Sequence, residues 1–110
     1  MIELVVASAI YAMSWQSAAA TSARQQLVQC LKDASTKAQA DDLAADAFTA
    51  FAQQSCASQA SRLKAAIWSF DAKNKVSRKQ SEADSDLQIE DYLSTAAERY
   101  RLAVTPKPKE

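Results

Sequence analysis

The chain has 110 residues, 13 basic and 13 acidic side chains, 48% hydrophobic residues and two cysteines, and it contains no glycine and no histidine. Without glycine it cannot build phosphate-cradling glycine loops or dinucleotide fingerprints, and it lacks the usual residue for tight positive-φ hairpin corners, which excludes Rossmann, P-loop and meander-rich β folds. Without histidine there is no Ser/His/Asp or Cys/His catalytic pair and no histidine-ligated metal.

A chain of this length forms one small domain. Alanine makes up about a fifth of it, and most of the remainder is Leu, Gln, Lys, Arg, Glu, Ser and Asp, a composition that favours helix when summed over long windows. The expected fold is all-α. The balanced charge gives no overall attraction to nucleic acid or to an anionic membrane surface, so any such basic face must be local, and no nucleic-acid partner is expected.

Residues 1–20 differ from the rest. Leu4 to Met13 is apolar and uncharged, Ser14 to Ser17 is polar, and Ala18 and Ala20 place small residues at the third and first positions before Thr21. This is the layout of a secretory signal with its cut before Thr21, although Met1-Ile2-Glu3 carries an acid where a basic n-region is usual. The apolar run is too short for a stable membrane span, which needs about 20 residues. The alternative is an amphipathic first helix packed on the core.

Ser22-Ala23-Arg24-Gln25 has the form of a capping box, which predicts a helix over 22–39. Leu27, Cys30, Leu31, Ala34 and Ala38 recur along it at helical spacing. A connection over 40–45 follows, with Asp41, Asp42 and Asp46 placed near the positive end of the next helix. The second helix is predicted over 46–73, with Phe48, Phe51, Ala52, Cys56, Leu63, Ala66, Ile67 and Phe70 on its core face. Asn74 is its expected left-handed terminator in a chain without glycine. Ser77 to Gln80 repeats the capping-box form and opens a third helix over 78–103. Ile89, Leu93, Ala96, Ala97, Tyr100 and Val104 are its apolar positions, with Tyr92 and Tyr100 as edge residues that keep their hydroxyls wet. Pro106 and Pro108 stop this helix and predict a disordered tail over 105–110. The expected architecture is an antiparallel three-helix bundle, with its helical domain over 21–104, preceded by a signal-peptide-like helix.

The cysteines fit no zinc spacing and no CxxC motif. Behind an export signal their even count predicts a disulfide between Cys30 and Cys56, placed about equally far from the first corner. Loop-entropy arguments value such a bridge at roughly 3–4 kcal/mol. In a cytoplasmic chain the same thiols would be small buried hydrophobes.

Glu82, Asp86 and Glu90 lie one turn apart on the third helix, with Asp84 and Asp91 nearby. A straight helix cannot wrap oxygens around a cation, and the expectation is a solvated face paired with Arg78, Lys79 and lysines of the second helix. Lys73, Lys75, Arg78 and Lys79 crowd one corner, where the helix dipole already accounts for basic residues. No catalytic residue, metal ligand or cofactor site is expected. Ala65, Trp68 and Ala72 form a row nearly opposite the core stripe of the second helix. This row is the candidate contact with a protein partner or a second copy, the alternative being that Trp68 packs against another part of the chain.

The export-like start, the Gln29-Cys30-Leu31-Lys32 segment, Phe48-Thr49-Ala50-Phe51 running to Cys56, and Gln88-Ile89-Glu90-Asp91-Tyr92 together resemble small exported helical proteins of Gram-negative bacteria. The resemblance spans residues 22–103 and rests on layout. It implies an all-α periplasmic or secreted protein with one disulfide and carries no catalytic residues to transfer. The expected function is therefore non-enzymatic, through surface contacts in the periplasm or cell envelope. A cytoplasmic helical adaptor with reduced cysteines is the second reading, and a carboxylate-based enzyme a distant third.

Overall fold

The computed structural model describes the backbone of residues 2–105 and the side chains of residues 18–105. Of the tail expected over 105–110, Thr105 instead caps the last helix, its N and Oγ1 both donating to Arg101 O; residues 106–110 and the side chains of the leader-like segment through Ser17 lie outside the described residues. Four α-helices make up the fold: α1 (Ile2–Ala40), α2 (Phe48–Ser55), α3 (Ala57–Lys73) and α4 (Arg78–Val104), with a single 3-10 turn at Ala45–Ala47 before α2. The described residues contain no strand.

Three expected boundaries shift. The first helix does not start at Ser22. Helix α1 runs through that position without a break, so the Ser22–Gln25 box caps nothing; Ala23 is buried and Arg24 reaches across to α4. The predicted second helix is divided at Cys56, whose φ of −112° and ψ of 19° leave the helical region, giving two helices where one was expected over 46–73. Hydrogen bonds continue on both sides of the break, from Cys56 N to Ala52 O and from Ala60 N to Cys56 O. The chain therefore bends there without forming a loop. The third correction concerns Asn74, which stays at φ −100° and uses its side-chain amide to donate to Phe70 O at 2.8 Å.

Lys75, not Asn74, takes the left-handed conformation, with φ 62°. Val76 N bonds to Asp71 O and Lys75 N to Ala72 O, the paired pattern of a Schellman end. Helix α1 ends the same way. Asp42 sits at φ 52°, Leu43 N bonds to Ala38 O and Asp42 N to Gln39 O. Asp41 and Asp42 therefore belong to the end of α1, and only Asp46 lies in the first turn of the next element.

The core is narrow. Leu27, Leu31, Ala34 and Ala38 form the buried stripe of α1, extended towards the N-terminus by Ala23 and Ala20. Phe48, Ala52, Cys56, Leu63 and Ile67 are buried from α2 and α3, whereas Phe51, Ala66 and Phe70 are only partly covered. From α4 the main contribution is Tyr100, which is fully buried and not an edge residue. Its ring stacks on Phe48 with centroids 4.4 Å apart, and its hydroxyl donates to Leu43 O at 2.5 Å. Val104, expected on the apolar face, is 38% exposed. Ser81 and Ser85 are buried in the first turns of α4, where small side chains allow a close helix approach. Ser85 Oγ donates to Glu82 O at 3.1 Å.

The Cys30–Cys56 disulfide is present, with the two α-carbons 5.9 Å apart. It ties the C-terminal part of α1, ten residues before its end, to the bend between α2 and α3. Along α4, Arg24 Nε and Nη2 both donate to Gln88 Oε1, at 3.2 and 3.1 Å, which sets the level of α4 against α1. Ser77 caps α4 by accepting from Gln80 N at 3.1 Å. The other half of that predicted box is not formed, because the Gln80 side chain donates to Asp84 Oδ1 instead.

Two stability outcomes follow from this geometry. Lysine at positive φ carries a Cβ clash that glycine lacks, so Lys75→Gly should stabilise the fold by about 0.5–1 kcal/mol in chemical denaturation. Asn74→Gly should destabilise it, because it removes the bond to Phe70 O; the reverse order would contradict the assigned corner. Cys56→Ser in the oxidised protein should cost about 3 kcal/mol, and an unchanged melting temperature would show that the bridge does not hold the bundle.

Candidate functional site

The corner between α3 and α4 carries the one aromatic residue expected to face outward. Ala65 and Ala72 are exposed, whereas Trp68 between them is half-buried. The Arg78 guanidinium carbon lies 4.7 Å from the Trp68 ring centroid, and Arg78 Nε donates to Glu82 Oε1 at 3.1 Å. One arginine is thus stacked on an aromatic face and paired with a carboxylate, and the row is partly roofed by α4 itself. Lys73, Lys75 and Lys79 around it are exposed.

The acidic ladder does not converge. Glu82 is taken by Arg78, and Asp86 pairs with Lys64 at 2.8 Å, in line with the expected pairing to Arg78 and to lysines of the second predicted helix. All four partners are well exposed, so each pair is worth at most about 1 kcal/mol. Glu90 points away to another groove. Among the described residues no three His, Cys, Asp or Glu side chains gather as a metal-binding group, and no helix is long and apolar enough to cross a membrane.

Two open grooves flank α4. The one between α2 and α4 has a volume of about 750 Å³; Leu93 and Ala97 line it beside the carboxylates of Asp46, Glu90 and Glu98. Arg101 donates to Glu98 at 2.6 Å. That hydrogen bond first, and the charge of Arg101 second, hold the Glu98 carboxyl below its ordinary pKa, while Arg101 is raised in return. The second groove, between α1 and α4, has a volume of about 560 Å³. Val28, Leu31, Tyr92 and Ala96 line it, with Lys32 and Arg99 at its rim. Ser35, Thr36, Thr95 and Asp91 complete the lining.

Sequence reasoning missed this second groove because its residues come from two helices 60 positions apart. The available signal was Val28, an apolar residue just off the narrow stripe of α1, together with the ring of Tyr92. Comparison with protein-family models, curated proteins and solved structures gives no match.

A tryptophan buried on one side and stacked under a cation on the other has intermediate energetics. Trp68→Ala should cost about 2 kcal/mol, less than the roughly 3–5 kcal/mol of a fully buried tryptophan, and Arg78→Gln about 0.5–1 kcal/mol. In a Trp15→Phe background, acrylamide should quench Trp68 only partially. Quenching equal to that of free indole would show that Arg78 does not cover the ring.

Proposed function

We propose that the chain is an exported, non-enzymatic helical protein that acts through surface contacts in the periplasm or cell envelope. The observation that carries this reading is the Cys30–Cys56 disulfide geometry. Such bridges persist in oxidising compartments and are rare in the cytosol, where thiols are kept reduced. The apolar Leu4–Met13 run and the small residues before Thr21 support the same compartment. In this reading residues 1–20 are a signal peptide, and the mature chain is an antiparallel bundle of three arms, with α2 and α3 forming one bent arm. The exposed Ala65 and Ala72, with the uncovered edge of Trp68, are its contact surface for a protein partner or a second copy.

One observation favours the second reading, a cytoplasmic adaptor with an intact N-terminus. Ala20, the last residue of the proposed leader, is only 4% exposed and belongs to the core. A leader that is removed does not need to bury its last residue in the domain it leaves.

Intact mass spectrometry of the protein isolated from its host separates the two. Export predicts a chain beginning at Thr21 and lighter by two hydrogens than the reduced form. A chain that retains residues 1–20 and has two alkylatable thiols would establish the adaptor reading instead.

A further inference from the structure

We propose that the groove between α1 and α4 is a binding site for a single-chain carboxylate amphiphile, a free fatty acid of medium chain length. Its volume of about 560 Å³ falls within the roughly 300–1,000 Å³ typical of small-molecule sites. Leu31 is a buried core residue, while Val28, Tyr92 and Ala96 are half-buried. These four form an apolar strip that faces the groove and on which an alkyl chain can lie.

Charge complementarity selects the headgroup. Lys32 and Arg99 both line the groove and both are exposed. Among the described residues neither has an acidic partner within 4.0 Å, whereas Lys64, Arg78 and Arg101 do. The level set by Arg24 and Gln88 puts Arg99 beside Ser35 and Thr36. A carboxylate there meets a guanidinium fork, an ammonium and the hydroxyl of Ser35, which accepts from Gln39 Nε2 and keeps its own proton free, whereas the Thr36 hydroxyl is already donated to Lys32 O.

Asp91 orients the ligand. It lines the same groove, and its position on α4 is two turns before Arg99, about 12 Å along the helix axis. A headgroup at that end would meet a like charge. The carboxylate is therefore directed to Lys32 and Arg99, and the tail runs back over Ala96, Leu31 and Tyr92. The same repulsion disfavours dicarboxylates that would place a second charge beside Asp91.

The test is a titration of the full-length, ¹⁵N-labelled protein with decanoate below its micelle concentration, followed by amide chemical shifts. Saturable shifts should concentrate in residues 28–36 and 91–99. Lys32→Gln with Arg99→Gln removes two exposed cations without touching the core, and should weaken decanoate at least about tenfold, the effect of losing charge-assisted hydrogen bonds. Decanol and decyltrimethylammonium should bind the unmodified protein at least about tenfold more weakly than decanoate, and Asp91→Asn should let decanedioate bind as well as decanoate. The proposal is overturned by absence of saturable binding, by shifts centred outside the groove, by equal binding of decanol, or by an unchanged affinity in the double variant.

Discussion

The covalent link between Cys30 and Cys56 sets the register of this fold. It joins the C-terminal part of α1 to the one place where the returning arm bends, so α2 and α3 leave the same anchored point in different directions. Helix α2 runs back towards the corner at Leu43 and the Tyr100 ring, and α3 follows α1. The link matters more here than in a domain with a large core. The biggest fully buried side chains are Tyr100, Phe48, Leu27 and Leu63, and many of the other core positions are alanines that each remove little apolar area from water. A small domain with so thin a core gains proportionately more from shortening the loops of its unfolded state.

The absence of glycine shapes both corners. Each helix that ends in a Schellman pattern needs a left-handed residue, and the chain supplies Asp42 and Lys75. Aspartate tolerates that conformation through its short polar side chain, whereas lysine has no such compensation and depends on its surroundings. The first corner is also held from outside. Leu43, the residue that follows Asp42, gives its carbonyl to the buried Tyr100 hydroxyl, so α4 fastens the turn that ends α1. Loss of that bond would leave a carbonyl without its partner beside a buried phenol, which costs more than the bond itself contributes.

Residues whose role is local were legible in the sequence. The stripe of Leu27, Leu31, Ala34 and Ala38 and the Ser77 cap could be read from local spacing, and the pairing of the cysteines from their even count behind an export-like start. The division at Cys56 could not, because no proline or glycine marks it and helical hydrogen bonds persist on either side. The burial of Ser81 and Ser85 is not marked by polarity, yet a small side chain that can satisfy its hydroxyl on its own helix, as Ser85 does on Glu82 O, suits a tight contact. The hydroxyl of Tyr100 was placed in water because its acceptor lies 57 residues away in sequence. The candidate site was less legible than the fold for the same reason. Lys32 and Arg99 look like ordinary surface charges until two helices bring them to one groove.

The N-terminal turns connect the fold to the question of compartment. The hydrogen bonds of Arg24 to Gln88 fix the level of α4, and Ser81 lies two turns earlier on that helix, level with α1 positions that precede Thr21. Ser81 is 1% exposed and Ile67 on α3 is 5% exposed, so the tip of the α3–α4 pair continues past the point where a leader would be cut. In the intact chain the backbone of α1 continues before Thr21 without a break. After a cut before Thr21 the same tip would have only α3 and α4 to cover it, with the Arg78–Trp68 stack at its end. Processing would then enlarge the surface around Trp68, so in an exported chain the cleavage and the contact surface would belong to one event, whereas the α1–α4 groove, lined by residues 28–36 and 91–99, lies beyond the cut and is the same in either chain.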